Sequence, residues 1–153
     1  MKNKVFENLR EYLPNVQKNI LLKDYTTFKI GGPAKYFFIA KTKDDLILAL
    51  KAAKNLKLPF FILGGGSNLL VSDKGFNGLV VKIKILGCRA EEGKLFSYTG
   101  TALYDLAIFA SENSFSGFEW AVGIPGATIG GAVCGHAQAF GDKISDSLEK
   151  VEV

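Results

Sequence analysis

The spacing of apolar residues predicts where helices and strands lie along the chain. Val5, Leu9 and Leu13 are four residues apart, so they share one face of a helix that the following proline ends. The segment Ala34–Ala40 is apolar at all but one polar position, which is typical of a buried strand. Residues 1–22 are therefore predicted to be a helical lead-in to a sheet.

A second helix is predicted directly after this strand. Thr42 and Asp45 stand three residues apart, the spacing of a capping box in which each side chain accepts a hydrogen bond from the other residue's amide. Leu46, Leu50 and Ala53 then supply the apolar stripe of the helix. The pattern predicts a strand–helix unit whose helix packs on the sheet.

Further apolar segments, bounded by glycine, proline or polar residues, predict the remaining elements. They are strands at Leu58–Leu63, Leu79–Ile85 and Leu148–Val153, a hairpin over Arg89–Thr99 that turns at Glu92-Gly93, and a helix from Thr101 to about Asn113. Because the last predicted strand is still running at the final residue, we expect the chain to be a segment of a longer protein.

Composition excludes several classes of protein. The 153 residues are 48% hydrophobic and 22% charged, as in one globular domain or two small lobes, and 12 phenylalanines argue against disorder. No stretch approaches the roughly 20 apolar residues of a membrane helix, and no secretory signal is visible, so we expect a cytoplasmic protein. Two cysteines and one histidine are too few for a disulfide framework, a four-thiolate site or a multi-histidine metal site.

The charge favours a small anionic ligand over a nucleic acid. The formal net charge is +4, but the basic residues are scattered, and the arginines are limited to Arg10 and Arg89. A nucleic-acid groove would need clustered arginines with interleaved aromatic residues. A mildly positive field is compatible with a small anionic ligand.

The first of three glycine-rich segments follows the predicted strand that ends at Leu63. Three consecutive glycines let the backbone curl tightly and present successive amide hydrogens, an arrangement that binds phosphate oxygens. No Gly-Lys-Ser/Thr follows, and the continuation Leu69–Val71 looks like a strand, so the segment is neither a P-loop nor a dinucleotide fingerprint. A plain tight turn between strands is the alternative. The candidate binding residues of this first glycine loop are Gly64, Gly65, Gly66, Ser67, Asn68 and Leu69.

The second glycine-rich segment combines a turn with small residues. Its Pro-Gly pair predicts a turn, Thr128 is placed to cap a short helix, and the small residues after it remove bulk where a flat ligand or another backbone approaches. Packing of a helix on a sheet is the alternative, but two such loops in a small protein favour a large flat ligand that carries phosphates. The candidate binding residues of this second glycine loop are Gly123, Ile124, Pro125, Gly126, Thr128, Gly130, Gly131 and Ala132.

A third glycine-rich segment, Thr27–Ala34, can be interpreted by itself as a strand end followed by a turn. In their order along the chain, the three segments resemble the amino-terminal flavin domain of the UDP-N-acetylenolpyruvoylglucosamine reductase family, also called UDP-N-acetylmuramate dehydrogenases. The motifs that carry the resemblance are Thr-Phe-Lys-Ile-Gly-Gly-Pro-Ala at Thr27–Ala34, Leu-Gly-Gly-Gly-Ser-Asn at Leu63–Asn68, and Gly-Ile-Pro-Gly followed by Gly-Gly-Ala within Gly123–Ala132. The resemblance extends from about Asp24 to Val153.

The resemblance implies a fold and a chemistry. The fold is an α+β, vanillyl-alcohol-oxidase-like (PCMH-type) FAD-binding domain of two small subdomains, with mixed sheets, flanking helices and the cofactor between the subdomains. FAD, bound non-covalently, would pass a hydride from NADPH to UDP-N-acetylglucosamine enolpyruvate and so yield UDP-N-acetylmuramate for peptidoglycan. The amides of Gly64–Asn68 would hold the FAD pyrophosphate, and Gly123–Gly126 with Thr128–Ala132 would line the flavin and its ribityl–phosphate stem.

The resemblance also implies how the work is divided within the intact protein. Residues 1–153 would be the FAD-binding domain, while the family's serine general acid, arginine, glutamate and substrate-binding domain would lie downstream. We therefore assign no catalytic residue in this chain and expect the segment alone to be inactive. Two other functions stay open: a non-catalytic flavin or nucleotide-binding module, and another oxidoreductase with the same FAD fold.

The chain departs from the family's pattern in one loop. Where family members have Asn-Ala-Gly-Ala-Tyr-Gly, this chain has His136, Gln138 and Phe140 in place of the asparagine, the glycine and the tyrosine. Phe140 keeps the ring and loses the hydroxyl, and Gln138 adds a side chain. The flavin contacts of this loop are predicted to differ, and His136 is expected to be a hydrogen-bonding or surface residue rather than a covalent flavin attachment.

Overall fold

The computed structural model of the protein describes residues 4–153. It divides the chain into two compact units, one that ends at Ile85 and one that runs from Leu86 to Val153. Each unit has hydrophobic core residues of its own. The first three residues of the predicted helical lead-in lie outside the described residues.

The first unit is built on a four-stranded mixed sheet with helices. Its elements, in chain order, are α1 (Lys4–Tyr12), β1 (Gln17–Leu21), a 3-10 turn (Leu22–Tyr25), β2 (Pro33–Ala40), α2 (Lys43–Asn55), β3 (Phe60–Leu63) and β4 (Phe76–Ile83). The strand order is β1-β2-β4-β3; β1 runs antiparallel to β2, whereas β2, β4 and β3 are parallel. Most residues of β4 are buried, which explains its nearly continuous apolar sequence.

Successive residues of the central strands face opposite sides of this sheet. Tyr36 and Leu79 pack on one side, in the core that α1 and α2 complete. Phe37 and Val80 pack on the other side, in a core that includes the 3-10 turn and apolar residues of the loop after β3. That loop therefore lies over the face of the sheet that the helices leave open.

The amino-terminal end of α2 confirms the predicted capping box. The amide of Asp45 donates to the Thr42 hydroxyl at 3.1 Å, and the amide of Thr42 donates to the Asp45 carboxylate at 3.0 Å. Of the predicted stripe, Ala53 is fully buried and Leu46 packs half-buried against the same core. A cap of this kind contributes about 1 kcal/mol to helix stability.

The second unit combines short hairpins with helices. Its elements are β5 (Cys88–Glu91), β6 (Lys94–Ser97), α3 (Leu103–Glu112), a 3-10 turn (Glu119–Gly123), α4 (Ile129–Cys134), β7 (Gln138–Ala139), β8 (Asp142–Lys143) and α5 (Ile144–Ser147). Both hairpins are antiparallel. Leu103, Phe118, Trp120 and Ala132 lie in its core, so the 3-10 turn and α4 are anchored by apolar contacts with α3.

Three predicted elements differ from the structure. Within the helical lead-in, Gln17–Leu21 is the strand β1; its mostly polar sequence gives little strand signal, and it forms by pairing with β2. Leu69–Val71 forms no strand: Leu69 and Val71 pack against the core on the sheet, Leu70 is exposed, and the backbone joins no ladder. Leu148–Val153 is exposed and pairs with no strand within residues 4–153. The predicted strands at Ala34–Ala40, Leu58–Leu63 and Leu79–Ile85, the Arg89–Thr99 hairpin and the remaining predicted helices are confirmed, with ends shifted by a few residues.

Among the helices of residues 4–153, none combines the length and apolar character needed to cross a bilayer. The same residues hold no group of three or more His, Cys, Asp or Glu side chains arranged to bind a metal ion. Cys88 and Cys134 are free thiols.

Candidate functional site

The first glycine loop turns sharply immediately after β3. Gly66 has a φ of +77°, a left-handed conformation that glycine adopts without strain. A Cβ at this position would overlap the carbonyl oxygen of Tyr25, so two backbones are in direct contact. The amide of Thr27 donates to the Gly66 carbonyl at 3.1 Å. Residues 25–27 therefore hold the loop from one side.

The third glycine-rich segment begins as a turn, and none of the residues from Thr27 to Gly32 lies in a strand. The amide of Gly32 donates to the carbonyl of Ser72 at 2.9 Å. A Cβ on Gly32 would overlap the carbonyl of Asp73, and a Cβ on Gly75 would overlap that of Pro33. The predicted strand end is wrong, whereas the predicted turn is confirmed. These contacts of Gly32 and Pro33 hold residues 72–75, which follow the first glycine loop.

Three backbone amides of the first glycine loop are open, in the sense that the described residues offer them no backbone acceptor. Within residues 4–153, the amides of Gly65, Ser67 and Asn68 donate to no backbone carbonyl. Gly65 and Ser67 are half-buried, and Asn68 is exposed. Such amides suit phosphate oxygens, because an anion satisfies donors that the fold otherwise leaves to water. The loop therefore fits the pyrophosphate group that was predicted for it.

A buried lysine lies beside this loop. Lys82, on β4 and opposite Leu63 in the parallel register, is only 9% exposed. Its ammonium group donates a hydrogen bond to the carbonyl of Gly64. Desolvation by burial, with a further contribution from Lys84, lowers the pKa of Lys82 from the ordinary value of 10.5. Sequence reasoning missed this residue; the available signal is a lysine two residues after Val80, on the same buried face of a strand.

Deprotonation of Lys82 at high pH is expected to stabilise the fold. Because the pKa is lowered in the folded state, the unfolded chain holds more protons between that lowered pKa and 10.5. The free energy of unfolding of the wild type, minus that of Lys82→Met, should rise as the pH increases toward 10.5. Urea unfolding at a series of pH values measures this difference. A difference that stays flat or falls over this interval would contradict the assignment.

The second glycine loop is tied to the segment that precedes α3. The amides of Ile129 and Gly130 donate to the carbonyls of Thr101 and Thr99 at 2.9 and 2.8 Å, respectively. A Cβ on Gly130 would lie 2.8 Å from the Cβ of Thr99. Gly130 therefore permits a close backbone approach, and Ala132 lies in the core. Gly130 and Ala132 thus make close contacts within the protein, and whether they also contact a ligand stays a prediction.

Thr128 occupies the predicted cap position without making a capping bond. It is the N-cap residue of α4, but its side chain accepts no hydrogen bond from the helix. Its Oγ1 is buried and has no hydrogen-bond partner among the described residues. A Cβ on Gly131 would come within 3.2 Å of this hydroxyl, so glycine keeps one side of it clear. A buried hydroxyl is costly unless it is bonded, which makes Thr128 a fitting contact for a polar ligand atom.

The loop that departs from the family pattern reaches the second glycine loop. Phe140 is 80% exposed, and its ring occupies the space where a Cβ of Gly123 would lie. Gln138 belongs to β7 and pairs with Lys143. His136 is exposed, in agreement with the expectation of a surface residue. The phenyl ring that replaces the family's tyrosine thus packs against one of the predicted binding residues.

Comparison with known proteins identifies the family. A family model described as an FAD binding domain matches residues 34–153, which include both glycine loops. The chain belongs to the FAD binding domain family. FAD carries phosphates and a flat ring system, the two ligand features that the sequence of the glycine loops predicts.

Curated relatives from this family are named UDP-N-acetylenolpyruvoylglucosamine reductase. The chain is 45% identical to the protein of Caldanaerobacter subterraneus subsp. tengcongensis over 133 residues, which are 86% of this chain and 44% of the relative. It is 38% identical to the protein of Clostridium novyi over 152 residues, 99% of this chain and 49% of the relative. The chain thus spans about half the length of the curated relatives it matches. The resemblance inferred from the three glycine-rich segments is confirmed.

Solved structures show the same fold. The UDP-N-acetylenolpyruvylglucosamine reductase of Thermus caldophilus aligns with a TM-score of 0.65 at 35% identity, over 86% of this chain and 46% of that one. A p-cresol methylhydroxylase with substrate bound aligns with a TM-score of 0.54 at 14% identity, over 74% and 25% of the two chains, and this likeness concerns the fold alone. The predicted α+β, PCMH-type FAD-binding fold is confirmed.

The predicted cofactor-binding residues of the FAD binding domain fall into two groups. Those of the first glycine loop, Gly64–Leu69, lie together in the first unit, where residues 25–27 and Lys82 contact the loop. Those of the second glycine loop, Gly123–Ala132, lie in the second unit beside Thr99 and Thr101. Their individual contacts with FAD stay a prediction.

Proposed function

We propose that this chain is the FAD-binding portion of a cytoplasmic reductase that converts UDP-N-acetylglucosamine enolpyruvate to UDP-N-acetylmuramate with NADPH, a step of peptidoglycan synthesis. The main support is the FAD binding domain match over residues 34–153, together with relatives that carry the reductase name. The open amides of the first glycine loop and the unpartnered hydroxyl of Thr128 add support, because both suit a ligand with phosphates.

The two glycine loops would hold FAD. In this proposal the amides of Gly64–Asn68 bind the pyrophosphate, and Gly123–Gly126 with Thr128–Ala132 line the flavin and its ribityl–phosphate stem. The short side chains of Ser67 and Asn68 can add hydrogen bonds to phosphate oxygens. When bound, the flavin supplies the hydride chemistry, whereas the chain supplies binding and orientation.

We infer that the remaining catalytic groups belong to other parts of the intact protein. Reduction of an enol ether requires a proton donor and stabilisation of developing negative charge, besides the hydride. The reductase family uses a serine, an arginine and a glutamate for these tasks, and we assign none of them to residues 1–153. On this proposal, residues 1–153 are the FAD-binding domain, and other parts of the intact protein bind most of the UDP-sugar.

The intact protein is expected to carry FAD without a covalent bond. Acid precipitation should release the flavin into the supernatant, because the proposed contacts are amides and hydroxyls that lose their geometry on unfolding. The absorption spectrum and chromatographic retention of the supernatant identify the flavin. Flavin that stays with the precipitate would contradict non-covalent binding. Absence of flavin, even after incubation with FAD, would contradict the proposed function.

Turnover by the intact protein distinguishes the proposed function from the two alternatives, another oxidoreductase with the same fold and a non-catalytic flavin-binding module. With NADPH and the enolpyruvyl sugar, the proposed reductase forms UDP-N-acetylmuramate, which mass spectrometry detects. NADPH oxidation that does not depend on the sugar would favour another oxidoreductase with the same fold. Bound FAD that NADPH does not reduce would favour a non-catalytic flavin-binding module.

A further inference from the structure

Lys82 interrupts an otherwise apolar stretch of β4. Leu79 and Val81 pack in the core beside the helices, so strand alternation places Lys82 with Val80 on the opposite side of the sheet. Burial of an ammonium group costs free energy, whereas an apolar side chain here would add favourable contacts. The ladders to β2 and β3 already hold the strand on both edges. The stability of the sheet therefore gives no reason for a lysine at this position.

The hydrogen bond from Lys82 controls the orientation of one peptide in the first glycine loop. The ammonium group donates to the carbonyl of Gly64, which shares a trans peptide with the amide of Gly65. In a trans peptide the C=O and N–H groups point in opposite directions. The bond to Lys82 thus turns the Gly65 amide hydrogen away from the lysine. That amide donates to no backbone carbonyl within residues 4–153.

We propose that Lys82 is a positioning residue for the pyrophosphate of FAD. It fixes the Gly64–Gly65 peptide so that the Gly65 amide donates to a phosphate oxygen, and it places a buried positive charge behind the loop. The inference rests on the proposed function, since it takes FAD as the ligand. A charge in a partly desolvated position acts more strongly on a nearby anion than an exposed charge does. Lys84, two residues further along and exposed, is the matched comparison.

A positioning role for Lys82 distinguishes between parts of the ligand. The amide and the charge act on phosphates and not on the flavin ring. Loss of the ammonium group should therefore weaken the binding of FAD and leave riboflavin, which has no phosphate, nearly unaffected. A lysine that served only the fold would weaken the binding of both ligands together.

The test compares full-length wild-type protein with Lys82→Met and Lys84→Met. Flavin fluorescence titrations give dissociation constants for FAD and riboflavin, and thermal unfolding gives the melting temperature of each apo-protein. We expect Lys82→Met to weaken FAD binding about tenfold or more, to change riboflavin binding by less than about twofold, and to keep or raise the melting temperature. Lys84→Met should stay within about twofold of the wild type for both ligands.

Several outcomes would overturn this role of Lys82. They are an unchanged FAD affinity in Lys82→Met, an equal loss for FAD and riboflavin, and a loss of affinity that parallels a lower melting temperature. If Lys82→Met does not fold, Lys82→Gln is measured on the same two ligands with the same criteria. Wild-type protein that does not bind FAD overturns the proposed function itself. Wild-type protein that binds FAD, with Lys82→Met unaffected, overturns only the inference about Lys82.

Discussion

Replacing Gly65 with valine is expected to weaken FAD binding about tenfold or more, a loss of roughly 1.4 kcal/mol, while the apo-protein keeps its thermal stability. Gly65 does not have a left-handed φ, so a side chain does not strain its backbone. Its amide is one of those proposed to hold the pyrophosphate. A branched side chain beside that amide would keep phosphate oxygens at a distance. Fluorescence titration with FAD and calorimetry of the apo-protein measure the two quantities.

Gly66→Ala is the matched control for this prediction. Gly66 has a left-handed φ, and a Cβ there would overlap the Tyr25 carbonyl, so alanine should lower the free energy of unfolding by about 1–3 kcal/mol or more. The two substitutions should thus have different effects: Gly66→Ala lowers the stability of the protein, whereas Gly65→Val lowers its affinity for FAD. If Gly65→Val loses as much stability as Gly66→Ala, the interpretation as a plain tight turn is correct. Unchanged FAD affinity in Gly65→Val would contradict the pyrophosphate assignment.

Thr128→Val is expected to weaken FAD binding about tenfold while the apo-protein becomes equally or more stable. The buried Oγ1 of Thr128 has no hydrogen-bond partner among the described residues, so its desolvation is uncompensated in the absence of ligand. Valine has nearly the same shape and removes this unfavourable term. In the FAD complex, however, the variant would lack a hydrogen bond that the proposal gives to the cofactor. The opposite signs of the two effects make the prediction specific.

Thr101→Val supplies the control for a buried threonine whose hydroxyl is bonded. The Thr101 hydroxyl donates to the Gly87 carbonyl at 2.9 Å and accepts from the Gly87 amide at 3.1 Å. Its loss should lower the free energy of unfolding by about 1–3 kcal/mol, because two backbone groups lose their partner. An equal destabilisation of apo-protein by Thr128→Val would mean that the Thr128 hydroxyl is bonded without FAD. Unchanged FAD affinity would remove Thr128 from the proposed site.

Features determined by neighbouring residues could be predicted from the sequence. The capping box of Thr42 and Asp45 formed because both hydrogen bonds lie within one helical turn. The hairpin turning at Glu92-Gly93 formed because its two strands adjoin the turn. The order of the glycine-rich segments was sufficient to predict the family and its fold, since an ordered set of motifs is far more specific than any one of them.

Features determined by distant contacts were missed. Strand β1 is polar and forms because β2 offers an edge to pair with, which its own sequence does not reveal. The bond from Lys82 to Gly64 joins residues that are eighteen positions apart, and strand alternation predicts the face of Lys82 but not its acceptor. The hydroxyl of Thr128 could be placed at a helix start, whereas its burial without a partner depends on residues distant in sequence, such as Ala102, which forms a β-bridge with Thr128.

The direct backbone contacts around the first glycine loop limit how a damaged loop can be repaired by second-site mutation. A side chain added at Gly66 would meet the carbonyl of Tyr25, and one added at Gly32 would meet the carbonyl of Asp73. A smaller residue at position 25 or 73 cannot relieve either overlap, because every amino acid carries the same carbonyl group. Suppressor screens should therefore return true revertants at these glycines, rather than compensating changes in the residues they touch.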